Sequence, residues 1–142
     1  MLTSDELLAE FEKDMELDRS DIQMEVYRTT TLQAKWMRYY YQYKAAMIRA
    51  ESIMAEKLRE AMMYYDGAAD ASVYRARPFN LELKNQKQKD MFIDSDPDCC
   101  AYRERADTAA LNLKVCEEML ESLRYRPKHL ELVHAVRQFE SG

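Results

Sequence analysis

The feature of this sequence that most constrains its fold is a heptad repeat between Ile22 and Tyr64. Hydrophobic-leaning residues recur there at alternating steps of four and three, and only three of the positions are polar. The repeat comprises Ile22, Val26, Thr29, Gln33, Trp36, Tyr40, Tyr43, Met47, Ala50, Met54, Lys57, Ala61 and Tyr64. Such a repeat is typical of one long helix that packs against other helices. The sequence therefore predicts a mainly α fold, in which this helix packs with shorter helices.

The composition supports long helices in a folded chain. Only two glycines and three prolines occur in 142 residues, and hydrophobic residues make up 47% of the chain. This is not the composition of a disordered protein. The three cysteines do not form a disulfide framework, so a reducing compartment is the simplest interpretation.

Local signals predict where the helices of the first half begin and end. Thr3 and Glu6 form a capping-box pattern that opens a short first helix, and Ser20 with Gln23 repeats the pattern before the long helix. Gly67 is expected to end the long helix in the left-handed cap conformation.

The second half carries another heptad run. Pro97 is predicted at the first position of a helix. The run comprises Tyr102, Ala106, Ala109, Leu113, Cys116, Leu120 and Leu123. Pro127 is predicted to end that helix and to begin a last one, with an apolar stripe at Leu132, Val136 and Phe139.

The connection between the two heptad runs is predicted to be irregular. Residues 68–80 are interpreted as a loop, and residues 90–94 either as a short strand or as an apolar anchor of the loop. We expect a single helical domain over 1–142, divided into N-terminal helices (1–67), a basic loop or extended segment (68–95) and C-terminal helices (96–142).

A helix of about 45 residues is about 67 Å long, which exceeds the diameter of a compact domain of this length. Either the helix breaks near Thr29–Thr31, where three β-branched residues weaken it, or it reaches into neighbouring subunits. The second alternative predicts a homo-oligomer.

Charge is distributed very unevenly along the chain. The net charge is −5, yet residues 1–25 hold nine acids and two bases, and residues 26–50 hold five bases and no acid. The acidic end could mask the basic segment of the same chain or pair with that of a neighbouring subunit.

The cations of the long helix lie away from its heptad seam. Arg28, Lys35 and Arg49 share one line, Arg38 and Arg59 share the next, and Tyr39 and Tyr41 lie beside them. Such a face could hold a phosphate backbone and stack bases, or could simply be a solvated face. Trp36 is a further possible stacking group, although core packing is the better interpretation of its place on the seam. The predicted phosphate-binding cations of this helix are Arg28, Lys35, Arg38, Lys44, Arg49, Lys57 and Arg59.

A second basic patch lies within residues 75–89. It contains five bases and one acid, Glu82. Its predicted nucleic-acid-binding residues are Arg75, Arg77, Lys84, Lys87 and Lys89.

A search for catalytic or metal-binding patterns is mostly negative. His129 and His134 are five residues apart, which does not place them on one helical face for chelation, and Cys99 and Cys100 are adjacent. Cys116 lies on the second seam and is interpreted as a core residue. The sequence therefore predicts no enzyme activity, no cofactor and no metal site. It also predicts no signal peptide and no membrane-spanning segment.

Short segments in a characteristic order carry a resemblance to a known family. They are Glu10-Phe-Glu-Lys-Asp14, Leu17-Asp-Arg-Ser20, Lys35-Trp36, Met47-Ile-Arg-Ala-Glu51, Tyr64-Tyr-Asp-Gly67, Lys89-Asp90 through Asp94, Lys128-His129 and Arg137-Gln-Phe-Glu-Ser-Gly142. The chain resembles the UvsY family of recombination mediators of T-even-type bacteriophages over nearly its whole length. Residues 70–88 and 98–115 match it poorly.

The resemblance implies a function. Members bind single-stranded DNA without sequence preference and help a RecA-like recombinase (UvsX-type) displace the phage single-strand-binding protein, in the cytoplasm of the infected bacterial host. They work as ring-like homo-oligomers without catalytic activity, and their C-terminal region is needed for assembly. The expected oligomerisation residues are Leu113, Leu120, Leu123, Leu132, Val136 and Phe139. The family's Lys-Ala-Arg motif aligns with Arg59-Glu60-Ala61, which keeps only the first cation, although Lys57 could compensate for the second.

Two other classes of function compete with this one. A helical adaptor without a nucleic-acid role would use the basic face to dock an acidic partner such as its own N-terminus, but it has no need of the patch at 75–89. A small enzyme or a nucleotide-dependent regulator would need a phosphate-binding loop, and the sequence has none.

Overall fold

The computed structural model describes residues 1–142 and contains five helices and no strand. They are α1 (Ser4–Met15), α2 (Ile22–Tyr65), α3 (Ala71–Ala76), α4 (Gln86–Asp94) and α5 (Pro97–Ser141). The predicted mainly α fold, with a long helix and shorter ones, is confirmed. The chain divides into two compact units, one of residues 1–45 and 108–142 and the other of residues 46–107.

In the first unit, the start of α2 and the second part of α5 pack with α1. Trp36 and Cys116 are fully buried, and Leu7 of α1 is buried with them. The ring of Phe11 meets the Trp36 ring edge-on, with centroids 6.2 Å apart. The remaining buried apolar residues of this core include Leu32, Tyr43, Leu113, Met119, Leu123 and Leu130.

The second unit has an aromatic core. Tyr64 and Tyr65 at the end of α2 are buried with Ile93 of α4 and Cys99 of α5. The rings of Tyr74, Phe79 and Phe92 pack around them. The adjacent rings of Tyr64 and Tyr65 meet edge-on, with centroids 5.0 Å apart, and both lie in this core.

Most of the predicted helix ends are confirmed. Thr3 and Glu6 form the reciprocal capping box at the start of α1. Gly67 has φ +75° and follows α2, where the Ala68 N–H donates to the Met63 carbonyl over 2.9 Å. Pro97 is the first residue of α5, and Asp96 Oδ1 accepts from the next free N–H groups.

The predicted second capping box is wrong by one residue. Asp21, not Ser20, precedes α2, and its Oδ1 accepts a hydrogen bond from the Met24 N–H over 3.1 Å. The Ser20 side chain instead hydrogen-bonds Asp18. Both residue types can cap a helix, so the sequence alone did not separate them.

The predicted irregular connection also needs correction. Residues 71–76, interpreted as loop, form α3, whose N-cap is Asp70. Residues 90–94, for which a strand was one alternative, lie in α4, whose N-cap Asn85 accepts from the Gln88 N–H. Asp70 and Asn85 act as N-caps because a helix follows each of them, and neither helix was predicted from the sequence.

α2 and α5 are both continuous. The break near Thr29–Thr31, which was one of two alternatives, is absent, and the helix end predicted at Pro127 is wrong. α2 continues through Thr29–Thr31, where the buried Thr29 hydroxyl donates to the Glu25 carbonyl over 2.9 Å. α5 continues through Pro127 to Ser141. Proline inside a helix costs one backbone hydrogen bond, but the surrounding residues Leu123, Arg126 and Leu130 are all buried. Packing of this face therefore keeps the segment helical.

Candidate nucleic-acid interface

The twelve cations predicted to bind phosphates fall into two groups in the structure. Five are engaged with carboxylates of the same chain: Arg28, Lys35, Lys57, Arg77 and Lys89. The other seven form no ion pair: Arg38, Lys44, Arg49, Arg59, Arg75, Lys84 and Lys87. The second group is therefore the more available for a phosphate backbone.

In the first unit, the acidic face of α1 covers Lys35. The Lys35 Nζ donates to Asp14 Oδ2 over 2.7 Å and also pairs with Glu10. Burial lowers the pKa of the Lys35 ammonium, but its hydrogen bonds to Asp14 and Glu10 outweigh this effect, so the pKa lies above its ordinary value. The same Asp14 oxygen accepts from the buried Trp36 Nε1 over 3.0 Å.

The half-buried Arg28 and the buried Arg126 complete this charge cluster. Arg28 lies 3.5 Å from Asp14 and 3.3 Å from Glu25. Arg126 of α5 donates to the backbone carbonyls of Asp14 and Glu16 over 3.1 and 3.2 Å and lies 3.5 Å from Glu25. Burial lowers the pKa of the Arg126 guanidinium. The sequence suggested that the acidic end could mask the basic segment, and here part of it does so within one chain.

Sequence reasoning missed the buried members of this cluster. Glu25 marks the boundary of the acid-free segment, and Arg126 precedes Pro127, so neither stood out as a structural residue. The heptad repeat gave no signal for Glu25, because it predicted burial of the next residue, Val26. Glu25 precedes Val26, yet Glu25 is buried and Val26 is exposed.

The aromatic groups of the basic segment differ in their exposure. Trp36 is fully buried, as expected for the seam, and Tyr39 is half-buried with its ring edge-on to Trp36 at 5.2 Å. Tyr41 is exposed over 65% of its surface. Only Tyr41 of these three can offer a ring face to a ligand.

In the second unit, Arg77 is tied to the aromatic core. Its guanidinium donates to the Tyr65 hydroxyl over 3.2 Å and to Asp96 over 3.4 Å, and it lies 4.7 Å from the centre of the Tyr64 ring. The Tyr65 hydroxyl also donates to Asp96, over 2.9 Å. These contacts connect the segment after α3 to the start of α5.

Two other predicted cations of the second unit bind neighbouring carboxylates. Lys89 of α4 lies 2.7 Å from Asp66 at the end of α2. Lys57 pairs with Glu60 one turn later on α2, at 3.3 Å and on the exposed surface. Glu60 is exposed, whereas Lys35 and Arg77 pair with the buried carboxylates of Asp14 and Asp96. Lys57 can therefore exchange its partner for a phosphate more readily than they can.

A cleft of about 440 Å³ lies beside these residues. Its charged lining residues are Lys57, Glu60, Arg77, Asp96 and Asp98. Three acids against two bases do not suit a phosphate. No cluster of three or more His, Cys, Asp or Glu side chains is arranged to hold a metal ion.

The residues aligned with the Lys-Ala-Arg motif are spread over two environments. Arg59 is exposed, whereas Ala61 is buried in the core of the second unit. Position 61 therefore supplies neither charge nor surface to a ligand in this chain.

The residues predicted for oligomerisation also divide. Leu113 and Leu123 are buried in the first unit, and Leu120 is half-buried. Leu132, Val136 and Phe139 are 60%, 55% and 87% exposed. This last part of α5 therefore presents an uncovered apolar stripe.

No helix of the chain is both long and apolar enough to cross a membrane.

Comparison with known proteins places these surfaces in context. The model of a family described as recombination, repair and ssDNA binding protein UvsY matches residues 10–142. The chain is 22% identical over 138 residues to recombination protein uvsY of Enterobacteria phage T4, covering 97% of both chains. Among solved structures, it is similar to crystal structures of the bacteriophage T4 recombination mediator protein UvsY. In one lattice the TM-score is 0.86 at 21% identity, with both chains fully covered. In another it is 0.84 at 20% identity, covering 97% and 99%.

Proposed function

This chain belongs to the UvsY family of recombination, repair and ssDNA-binding proteins, and from that premise we propose that it is a recombination mediator. It binds single-stranded DNA without sequence preference. It then helps a RecA-like recombinase of the UvsX type to assemble on DNA coated by the phage single-strand-binding protein. The observation that carries this proposal is the family match over residues 10–142.

The seven unpaired cations support the DNA-binding part of the proposal. Phosphate contacts fix a protein on nucleic acid but carry no sequence information. The arginines and lysines that form no intrachain ion pair suit such contacts, and no pocket shaped for a particular base is needed. Arg49 and Arg59 of α2 and Arg75, Lys84 and Lys87 beyond it are all exposed.

A homo-oligomer would make the few phosphate contacts of each subunit sufficient for DNA binding. We propose a ring-like assembly held by the exposed stripe of Leu132, Val136 and Phe139. Identical subunits then place several basic surfaces on one DNA strand, and weak sites sum to a useful affinity. The buried Leu113 and Leu123 support assembly indirectly by holding α5 in place, and the half-buried Leu120 lies between them in sequence.

The mediator is proposed to act without chemistry of its own. It needs no cofactor or metal, because displacement and loading require only competing binding equilibria. Its partners are single-stranded DNA, the recombinase, the single-strand-binding protein and further copies of itself, with no membrane partner. The corresponding compartment is the cytoplasm of the infected bacterial host.

A salt titration tests the DNA-binding part. Fluorescence anisotropy of a labelled oligothymidylate is followed over a salt series, with the mass in solution recorded by sedimentation. Binding whose log affinity falls steeply with log salt, from a species several times the monomer mass, supports the proposal. No binding at low salt would refute it.

A second measurement tests loading. The lag before recombinase-dependent ATP hydrolysis is recorded on single-stranded DNA precoated with the cognate single-strand-binding protein. Adding the mediator should shorten the lag at saturating ATP. An unchanged lag, with DNA binding intact, would show that the protein binds DNA but does not act as a mediator.

One observation favours the rival adaptor. The carboxylates of α1 already occupy Lys35 and Arg28, so the basic segment does bind an acidic partner within the chain. A large oligomer that fails to bind DNA at low salt would support that alternative.

A further inference from the structure

We propose that Tyr41 is a stacking platform for one nucleobase of bound single-stranded DNA, between two cations that hold the adjoining phosphates. The inference rests on the proposed DNA binding and names the side chain that contacts a base. Aromatic stacking is tolerant of sequence because every base has a π face. It therefore fits a protein that binds without sequence preference.

The ring of Tyr41 is exposed and held in place. It is 65% exposed on α2. The neighbouring ring of Tyr40, which is half-buried, meets it edge-on with centroids 5.6 Å apart and planes at 86°. An edge contact fixes the orientation of a ring while leaving a face available. Less conformational entropy is then lost when a base binds.

The charges around Tyr41 favour a nucleotide. Arg38 and Lys44 lie three residues before and after it, so on a helix they flank it on the same side. Neither forms an ion pair in the structure, unlike Lys35 and Arg28 earlier on α2. The sequence from 26 to 50 contains no acid. The platform therefore has two free cations and no α2 carboxylate close enough to repel a phosphate.

A second copy of the chain is the competing occupant. Tyr27, Ala34 and Tyr41 are exposed at intervals of seven residues, a spacing that also suits packing against another helix. Tyr27 is 65% exposed, as Tyr41 is, but the residues three before and after it are Met24 and Thr30. Tyr27 is therefore a matched control, because it shares the exposure and the helix line without the cations.

The experiment compares two ligands of equal length and charge. One is an oligothymidylate and the other is an abasic oligomer with tetrahydrofuran at each sugar position. Anisotropy competition is run with the full-length wild type, Tyr41→Leu, Tyr41→Trp and Tyr27→Leu. The mass of each variant is measured by sedimentation, and its helix content by circular dichroism.

We expect Tyr41→Leu to weaken oligothymidylate binding at least about fivefold and to leave abasic binding unchanged. Tyr41→Trp should retain the preference for bases, and Tyr27→Leu should change neither affinity. An equal change for both ligands, or no change for either, in Tyr41→Leu would overturn the proposal.

Three further outcomes keep the inferences separate. If the wild type binds neither ligand, the proposed DNA-binding function fails, and the platform fails with it. If the wild type binds both ligands equally, DNA binding stands and the platform is overturned. A fall in mass of both leucine variants would also overturn it, since the exposed line would then be an interface between copies.

Discussion

The indole Nε1–H of Trp36 donates a hydrogen bond to Oδ2 of Asp14 over 3.0 Å. Both residues are buried, and the same carboxylate pairs with Lys35 and Arg28. Asp14 therefore satisfies a core donor and two cations at once. The acidic character of α1, which looked like a surface property in the sequence, is in part a structural requirement of the first unit.

Replacing this carboxylate should destabilise the protein. In Asp14→Ala the Trp36 Nε1 loses its acceptor and the cations lose a buried partner, which costs about 3 kcal/mol of unfolding free energy. Urea denaturation measures the change. Glu12→Ala, at an exposed position of α1, is the control and should change stability by less than about 0.5 kcal/mol. Equal losses in both variants would show that Asp14 has no special role.

Paired and unpaired cations should behave differently when removed. Arg38→Ala and Arg49→Ala should each weaken binding of oligothymidylate and reduce the slope of log affinity against log salt by about 0.7. Lys35→Ala should lower the free energy of unfolding, because its ammonium is engaged with Asp14 and Glu10. It should weaken DNA binding less than Arg38→Ala does.

The measurement is the same salt series, accompanied by urea denaturation of each variant. Arg124→Ala, which removes an exposed cation of α5, controls for net charge. If Lys35→Ala reduced affinity more than Arg38→Ala at equal stability, the α1 carboxylates would have to leave Lys35 on DNA binding.

Acid stability should depend on Asp96. Burial raises the pKa of its carboxyl, but hydrogen bonds from the Cys99 N–H and the Tyr65 hydroxyl, together with the charge of Arg77, hold the pKa below its ordinary value. The unfolded state therefore takes up this proton first as pH falls. The stabilisation is complete above the ordinary value and is lost as pH falls through the folded-state pKa.

Asp96→Asn keeps the N-cap acceptor but removes the charge. It should lose about 1 kcal/mol at pH 7 and approach the wild type near pH 2, which gives a flatter dependence of unfolding free energy on pH. Urea denaturation between pH 7 and pH 2 measures this. Asp94→Asn, an exposed neighbour whose side chain forms no ion pair, should leave the slope unchanged. If the unfolding free energy of Asp96→Asn still fell steeply with pH, groups other than Asp96 would cause the acid sensitivity.

The exposed end of α5 should control assembly without controlling folding. Leu132→Asp and Phe139→Asp place a charge on the apolar stripe, so sedimentation should show a smaller species with unchanged helix content. Leu81→Asp, at a 61% exposed position between α3 and α4, is the matched control and should keep the parent mass. An unchanged mass in both stripe variants would exclude this stripe as the interface.

Much of the architecture was predictable because it depends on local periodicity. The heptad positions Trp36, Tyr43 and Ala61 of α2 are buried, as the spacing predicts. Gly67 ends α2 with positive φ because only glycine adopts that conformation without strain. These features follow from backbone geometry and from side chains a few residues apart.

The tertiary structure decided which of the predicted site residues are free. Lys35 and Asp14 are 21 residues apart in sequence and meet only because α1 packs against α2. Arg126 and Asp14 are 112 residues apart. The sequence by itself determined the number of cations and most of the buried seam of α5. It placed Val26 on the seam of α2 where Glu25 is buried, and it placed the cations of α3 and α4 on a loop. It could not determine that Arg28 and Lys35 are paired while Arg38 and Lys44 are not, because ion pairing depends on which carboxylates the packed helices bring within reach.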